Sequence, residues 1–304
     1  MKPLWMDLTR VAHASASNLL AAVAPSYYLR LTGQTGRGRA EERTSDVADY
    51  FLRSFDDYFR QLEVAATDIP AWLAGKTLLE YGPGDVPAVA LLMIAYGAEK
   101  VWCVDRFPML RLSEKNVAVL ELLLGGLSGS ALQRARGCFL RHGDLRSGFD
   151  PARIEYRVNA SGLSGLRQCA DMVYSRAVLE HVNDLQATYA DMASALKPAG
   201  VAVHLVDLKS HGLHKDNPLD FLVWPEWLWR LMFSHKGVPN RWRRIHHLQA
   251  AEGAGLKLTN VQTTSTADPA DIRRVRPALA KPFQDLADQE FACLGFWMVA
   301  ETRA

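Results

Sequence analysis

Residues 78–107 read LLEYGPGDVPAVALLMIAYGAEKVWCVDRF, and this stretch constrains the fold more than any other. A short apolar run enters Glu-Tyr-Gly-Pro-Gly-Asp, an almost wholly apolar helical segment follows, and a second apolar run stops at Asp105. Strand, tight glycine turn, helix, strand and acid make the first βαβ unit of a nucleotide-binding sheet. Gly82 and Gly84 remove side chains where the backbone must approach a ligand. Asp85 is placed to cap the helix, Pro87 fits its first turn and Gly97 is placed to end it. Asp105, just past the second strand, can accept hydrogen bonds from both hydroxyls of a ribose.

The texture of the rest supports one large α/β unit. From Lys76 onward, TLLEY, KVWCVD, GCFLRHGD, ADMVYS and GVAVHLVD read as buried strands with helical patterns between them, and GLKLTNVQTTST and CLGFWMVAE as two strands that complete the sheet. That alternation predicts an α/β, Rossmann-like, seven-stranded and mostly parallel sheet with helices on both faces. Residues 1–75 are expected to form an N-terminal helical cap and residues 76–304 the main domain. The cap contains a Gly-rich charged loop, TGQTGRGRAEERTSD, and an amphipathic helix whose stripe runs Val47, Tyr50, Phe51, Phe55, Tyr58, Phe59 and Leu62. A helical insertion between strands five and six, at about residues 208–250, holds Trp224, Trp227, Trp229 and Trp242 and much of the chain's histidine.

Composition narrows the partners. Of 304 residues, 49% are hydrophobic and 22% charged, and the net charge of +2 gives no global pull toward nucleic acid or an anionic membrane. Cys103, Cys138, Cys169 and Cys293 show no CxxC spacing and suit buried thiols in a reducing cytosol. Asp7, Arg10 and His13 interrupt the N-terminal apolar run where a signal peptide needs continuity, and no segment approaches the ~18 apolar residues of a span. A cytoplasmic protein without stable membrane insertion is expected.

Two nucleotide classes use a βαβ unit of this kind. The dinucleotide fingerprint G-x-G-x-x-G fails, because Pro87 stands at the third glycine. The pattern that remains, an acid two residues before G-x-G and a ribose acid downstream, resembles motif I of the class I S-adenosylmethionine-dependent methyltransferases, over roughly residues 76–207 and the last two strands. The family's usual third glycine is Val86 here. The resemblance implies S-adenosyl-L-methionine as cofactor and S-adenosyl-L-homocysteine as product. It implies that Glu80, Gly82 and Gly84 wrap the methionine part and that Asp105, with Arg106 beside it, takes the ribose. Asp144 in HGDL matches the acid after the third strand that accepts from the adenine amino group, with Leu145 against the ring. Ser175 and Arg176, after the fourth strand, fall where the family places cofactor and acceptor contacts.

The acceptor is bounded mainly by absences. The N/D-P-P-Y motif of methyltransferases for DNA bases and certain protein amides is missing, since the fourth strand ends in YSRA. Neither a basic RNA-binding appendage nor a clear magnesium pattern is present. A small-molecule acceptor methylated at oxygen is the expectation. Nitrogen or carbon methylation, a glycan- or lipid-linked precursor and a protein acceptor stay open, as do an NAD-dependent oxidoreductase or epimerase and a non-catalytic binding module. His181 is the candidate general base, because histidine titrates near neutrality; a hydrogen bond to a loop carbonyl is its alternative role. His211, His214, Trp224, Arg241 and His246 of the insertion are candidate substrate contacts, and His247, Arg243 and Arg244 lie among them. Asp207, His211 and His214 match no strong metal template, so no metal is assigned from the sequence.

Overall fold

A computed structural model describes residues 8–32 and 41–302; residues 33–40 of the Gly-rich loop and the first seven residues, Asp7 included, lie outside the described residues. Helices α1 (Leu8–Val23), α2 (Pro25–Thr32), α3 (Thr44–Gln61) and α4 (Ile69–Leu73) precede the sheet. Then come β1 (Thr77–Tyr81), α5 (Ala88–Ala95), β2 (Lys100–Asp105), α6 (Glu114–Gly125), α7 (Gly129–Arg136) and β3 (Ile154–Val158). The order continues with β4 (Ala170–Arg176), α8 (Leu185–Ala195), β5 (Leu196–Asp207), α9 (Glu226–Phe233) and α10 (Arg244–Gly253). It ends with β6 (Leu256–Thr266), α11 (Pro269–Val275), α12 (Asp288–Ala292) and β7 (Cys293–Thr302).

The seven strands lie in the order β3-β2-β1-β4-β5-β7-β6. β3, β2, β1, β4 and β5 pair in parallel, and β7 runs antiparallel to β5 and β6. Chain order reverses between β1 and β4, so the loops that follow these two strands diverge and leave a crevice at their carboxyl ends. Helices α3, α5, α6 and α7 share one core on one face, while α8 and α10 pack on the other.

Every residue of α5 is buried, which explains why AVALLMIA has no polar face: it lies between the sheet and the outer helices. Asp85 does not cap α5. Its carboxylate takes a hydrogen bond from Asn116 Nδ2 at 3.1 Å and its carbonyl one from the Arg111 N–H at 2.9 Å, tying the glycine loop to α6. In α3 the aromatic stripe is packing: Phe51, Phe55, Tyr58 and Phe59 are buried, and Tyr58 meets Tyr174 and Trp297 edge-on at 5.0 and 5.7 Å. Burying each ring contributes about 1.5–3 kcal/mol, so α3 is fixed to the sheet.

One expectation changes here. GCFLRHGD is not a strand: within it only Phe139 pairs, in a single bridge to Phe149, and the third strand is IEYRV. Among the described residues before the sheet, α3 and α4 join the sheet core, whereas α1 packs on α9. A third core unites α1 with the insertion and with the β6–β7 connection through Ala14, Leu219, Phe221, Trp224, Ile272 and Phe291. Among the described residues no helix is long and apolar enough to cross a membrane.

Candidate functional site

The crevice at the carboxyl ends of β1, β2 and β4 holds two cavities that share Gly82, Gly84 and Ala177. The smaller, about 230 Å³, is lined by Val104, Asp105, Arg106, Phe107 and Met109, by Ser161 and Gly162 next to Arg106, and by Val178, His181 and Asn183. The larger, about 460 Å³, is lined by Glu80, Arg176 and His211 and roofed by Tyr50, Ser54 and Tyr58 of α3. Gly82 has φ +66° and its Cα faces Val178, where an added Cβ would lie 2.4 Å from a methyl group. The turn that opens both cavities therefore excludes any side chain at this position.

Burial opposes charge on the acids here. Asp105 is 8% exposed, and burial raises its pKa to about 6 although its Oδ1 accepts the Phe107 N–H at 2.9 Å. Burial raises Glu80 further, to about 8, against hydrogen bonds from Tyr174 Oη at 3.3 Å and Cys103 Sγ at 3.7 Å. Arg176 is bonded to Asp57 at 2.9 Å and lies over Tyr50 and Trp297, which fixes its guanidinium at the rim of the larger cavity. Arg106 spans the smaller one, donating to Asn183 Oδ1 at 3.0 Å.

Where the cavities meet, His181 from the smaller faces His211 from the larger, ring centres 5.1 Å apart. Burial lowers the His181 pKa to about 4, and the neighbouring His211 adds to the effect. Its imidazole is therefore neutral at pH 7 and a weak proton acceptor. Beneath it Glu180 is 1% exposed, and burial holds its carboxyl well above the usual range. The N–H groups of Glu180 and Asp207 act the other way without making a hydrogen bond of normal geometry to it.

A family profile described as "Methyltransferase domain" matches residues 52–261, from within α3 to within β6. The chain belongs to this family. It is a class I S-adenosylmethionine-dependent methyltransferase, with S-adenosylmethionine as its cofactor. Among curated proteins no sequence matches the chain. Solved structures similar to the methyltransferase include an S-adenosylmethionine-dependent methyltransferase from Mesorhizobium loti, at 18% identity and TM-score 0.42, covering 78% of this chain and 98% of that one. Another is a candidate sarcosine dimethylglycine methyltransferase from Galdieria sulphuraria, at 14% identity and TM-score 0.48, covering 91% and 97%. A third is a Haemonchus contortus phosphoethanolamine N-methyltransferase in complex with phosphomonomethylethanolamine and S-adenosylhomocysteine, at 16% identity and TM-score 0.40, covering 76% and 49%.

The crevice fits the cofactor chemically: a buried carboxylate at Asp105 and an acid at Glu80 line the two cavities that share the side-chain-free turn at Gly82. Other expected contacts lie elsewhere in the methyltransferase. Asp144 precedes β3, faces solvent and pairs with Arg141 and the Arg146 N–H. Leu145 is buried in the α5–α6 core. Ser175 is fully buried inside β4, its Oγ 2.8 Å from His204 Nδ1. Trp224 and Arg241 belong to the third core; Arg241 donates to the Trp224 carbonyl and to Glu226 and stacks on Trp229. His246 caps α10, accepting the Arg243 N–H at 3.0 Å, and His214 bonds Ser210. Phe107, Ser161, Gly162 and Asn183, not singled out from the sequence, border the smaller cavity instead. Once IEYRV is read as the third strand, NASG is the loop that follows it.

Proposed function

We propose that this methyltransferase acts on a small-molecule acceptor at oxygen, in a reducing cytosol, and that the acceptor enters the larger cavity. The observation that carries the reading is the junction: a partly enclosed space of about 460 Å³ opens onto a paired His181 and His211 beside the glycine turn. The four cysteines are free, as a reducing compartment allows. Bound S-adenosylmethionine would supply a sulfonium methyl to a lone pair of the acceptor oxygen, the C–S electron pair passing to sulfur and the hydroxyl proton to solvent at the cavity mouth.

The chain's own residues bind and orient. Asp105 would accept from both ribose hydroxyls, and Arg106 would close the same side. Glu80, Gly82 and Gly84 would hold the methionine part, with the Arg176 guanidinium near its carboxylate. Ser161 and Gly162 would take the adenine side in place of Asp144 and Leu145. Tyr50, Ser54 and Tyr58 would exclude water above the acceptor. Holding two reactants in line offsets roughly 7–11 kcal/mol of barrier, so positioning is the main contribution asked of the fold. His181, its pKa lowered to about 4, is suited to positioning the acceptor hydroxyl more than to carrying its proton away.

Calorimetric titration of S-adenosylhomocysteine into the wild type and Asp105→Ala tests the cofactor side. Charged hydrogen bonds are worth about 1.5–3 kcal/mol, so the variant is expected to bind at least about tenfold more weakly. Equal affinities would remove Asp105 from the ribose. Labelled methyl from the cofactor, followed into fractions of a cell extract, tests the acceptor: label in protein bands alone would replace the small-molecule reading.

A further inference from the structure

β4 and β5 are parallel neighbours, with Ser175 level with His204. The chain leaving β4 reaches His181 a few residues later, and the chain leaving β5 reaches His211 after a similar run. The two imidazoles meet over the same strand ends with Glu180 against them, its Oε1 3.8 Å from His181 Nε2. One ligand atom from each of Glu180, His181 and His211 lies within 4.8 Å of the other two. Ligands of a tetrahedral ion at about 2.1 Å are ~3.4 Å apart, so small side-chain rotations bring the three to bonding distance.

The same residues carry poorly satisfied polar atoms. Both Glu180 oxygens and His181 Nδ1 are buried without a hydrogen bond of normal geometry, the backbone of Glu180 and Asp207 near the carboxyl and that of Gly237 and Val238 near the imidazole falling short of it. Such atoms are costly unless a ligand takes them up. Asp207 Oδ2 lies 3.5 Å from His211 Nε2, the carboxylate–imidazole pairing that orients a ligating histidine. Two imidazoles with one carboxylate suit zinc, iron or manganese better than magnesium or calcium, and three protein ligands leave positions open.

We propose that Glu180, His181 and His211 bind one divalent transition-metal ion, with its open positions toward the larger cavity. An acceptor hydroxyl at such a position would be held at the junction and would lose its proton more readily; that role rests on the methyl-transfer reading.

The test is titration of Zn²⁺ into the metal-free full-length protein, with S-adenosylhomocysteine binding read on each sample. The wild type is expected to bind one Zn²⁺ that millimolar Mg²⁺ does not displace. Glu180→Gln and His211→Asn, the latter because Asn tolerates the φ of +48° at that position, are expected to lose at least tenfold in Zn²⁺ affinity. His214→Asn is expected to keep it. Acetohydroxamate, a small oxygen ligand, should bind the Zn²⁺-loaded wild type and not the metal-free protein. No Zn²⁺ uptake by a wild type that binds S-adenosylhomocysteine, or uptake unchanged in both variants, overturns the metal site and leaves the methyltransferase reading standing. Zn²⁺ uptake without S-adenosylhomocysteine binding does the reverse. A variant that binds neither ligand has lost its fold, and the other then decides.

Discussion

Glu80 shows how one buried side chain can make stability depend on pH. Its carboxyl has a pKa of about 8 in the folded chain against 4.5 in the open one, chiefly through burial. Between those values the native state keeps a proton that the unfolded state has released, so stability falls as pH rises from 4.5 to 8. Below this window the group contributes nothing, and above it the full penalty is present. Asp105, raised from 3.8 to about 6 by the same cause, acts in the same direction over a lower window. From pH 5 to 7.5 the Glu80 contribution is roughly 3 kcal/mol at 1.36 kcal/mol per pH unit. Glu80→Gln removes the proton without changing the size of the side chain. Urea denaturation at the two pH values is therefore expected to show a clearly smaller loss of stability for the variant than for the wild type. Parallel losses would mean that Glu80 is already ionised in the free protein. At this scale Glu80, Gly82, Gly84 and Asp105 were legible because they sit within one continuous βαβ unit. The meeting of His181 with His211 was not, because it depends on the β4–β5 register across residues far apart in sequence.

At the scale of elements, five of the seven strands follow from apolar runs and the edge strand β6 from its valine and threonines, whereas the one strand missed, β3, has a physical cause. β3 is an edge strand, half-exposed along Glu155, Tyr156 and Arg157, so its residues alternate in character and lack the continuous apolar run of a central parallel strand. GCFLRHGD looks more like a strand because Cys138 and Phe139 are core residues, yet they fill space beside α7 without joining the ladder. Reading HGDL as the end of the third strand put Asp144 at the adenine, and that assignment can be tested. Asp144→Asn is expected to change S-adenosylhomocysteine affinity by no more than about twofold, the range of an exposed ion pair without a ligand role. Gly162→Val, in the loop after β3 and bordering the smaller cavity, is expected to weaken it severalfold. A large loss in the first with none in the second would return the adenine contact to HGDL. The insertion misled in another way. Trp224, Arg241 and His246 read as candidate contacts because aromatic and basic residues cluster there, but an insertion of this length needs its own core and cap contacts, and these residues supply them.

Across the whole molecule, the third core is stitched to the loop that carries His181, and one residue makes most of the join. Asn240 donates its backbone N–H to the Glu180 carbonyl and its Nδ2 to the carbonyls of Leu179 at 2.9 Å and Val182 at 3.1 Å. Arg106 reaches the same region from β2, its second nitrogen 3.5 Å from the Ser234 carbonyl. At the far side of this core, in which α1 and the insertion form a cap, Asn18 of α1 donates to the Leu231 carbonyl at 3.0 Å and accepts the His235 N–H at 2.8 Å, closing α1 onto α9. Removing either asparagine strands buried polar partners, at about 1–3 kcal/mol. The two losses should nevertheless differ in where they are felt. Asn240→Ala frees the carbonyls of the loop that borders the cofactor cavity, so amide hydrogen exchange across residues 178–183 is expected to accelerate and S-adenosylhomocysteine to bind more weakly. Asn18→Ala is expected to lower stability by a similar amount with exchange at residues 178–183 rising no more than in the rest of the sheet. If both variants speed exchange there equally, the cap influences the site only through global stability. If Asn240→Ala alone does so, the cap holds the His181 loop in place directly, and closure of the third core becomes part of how the methyltransferase forms its acceptor cavity.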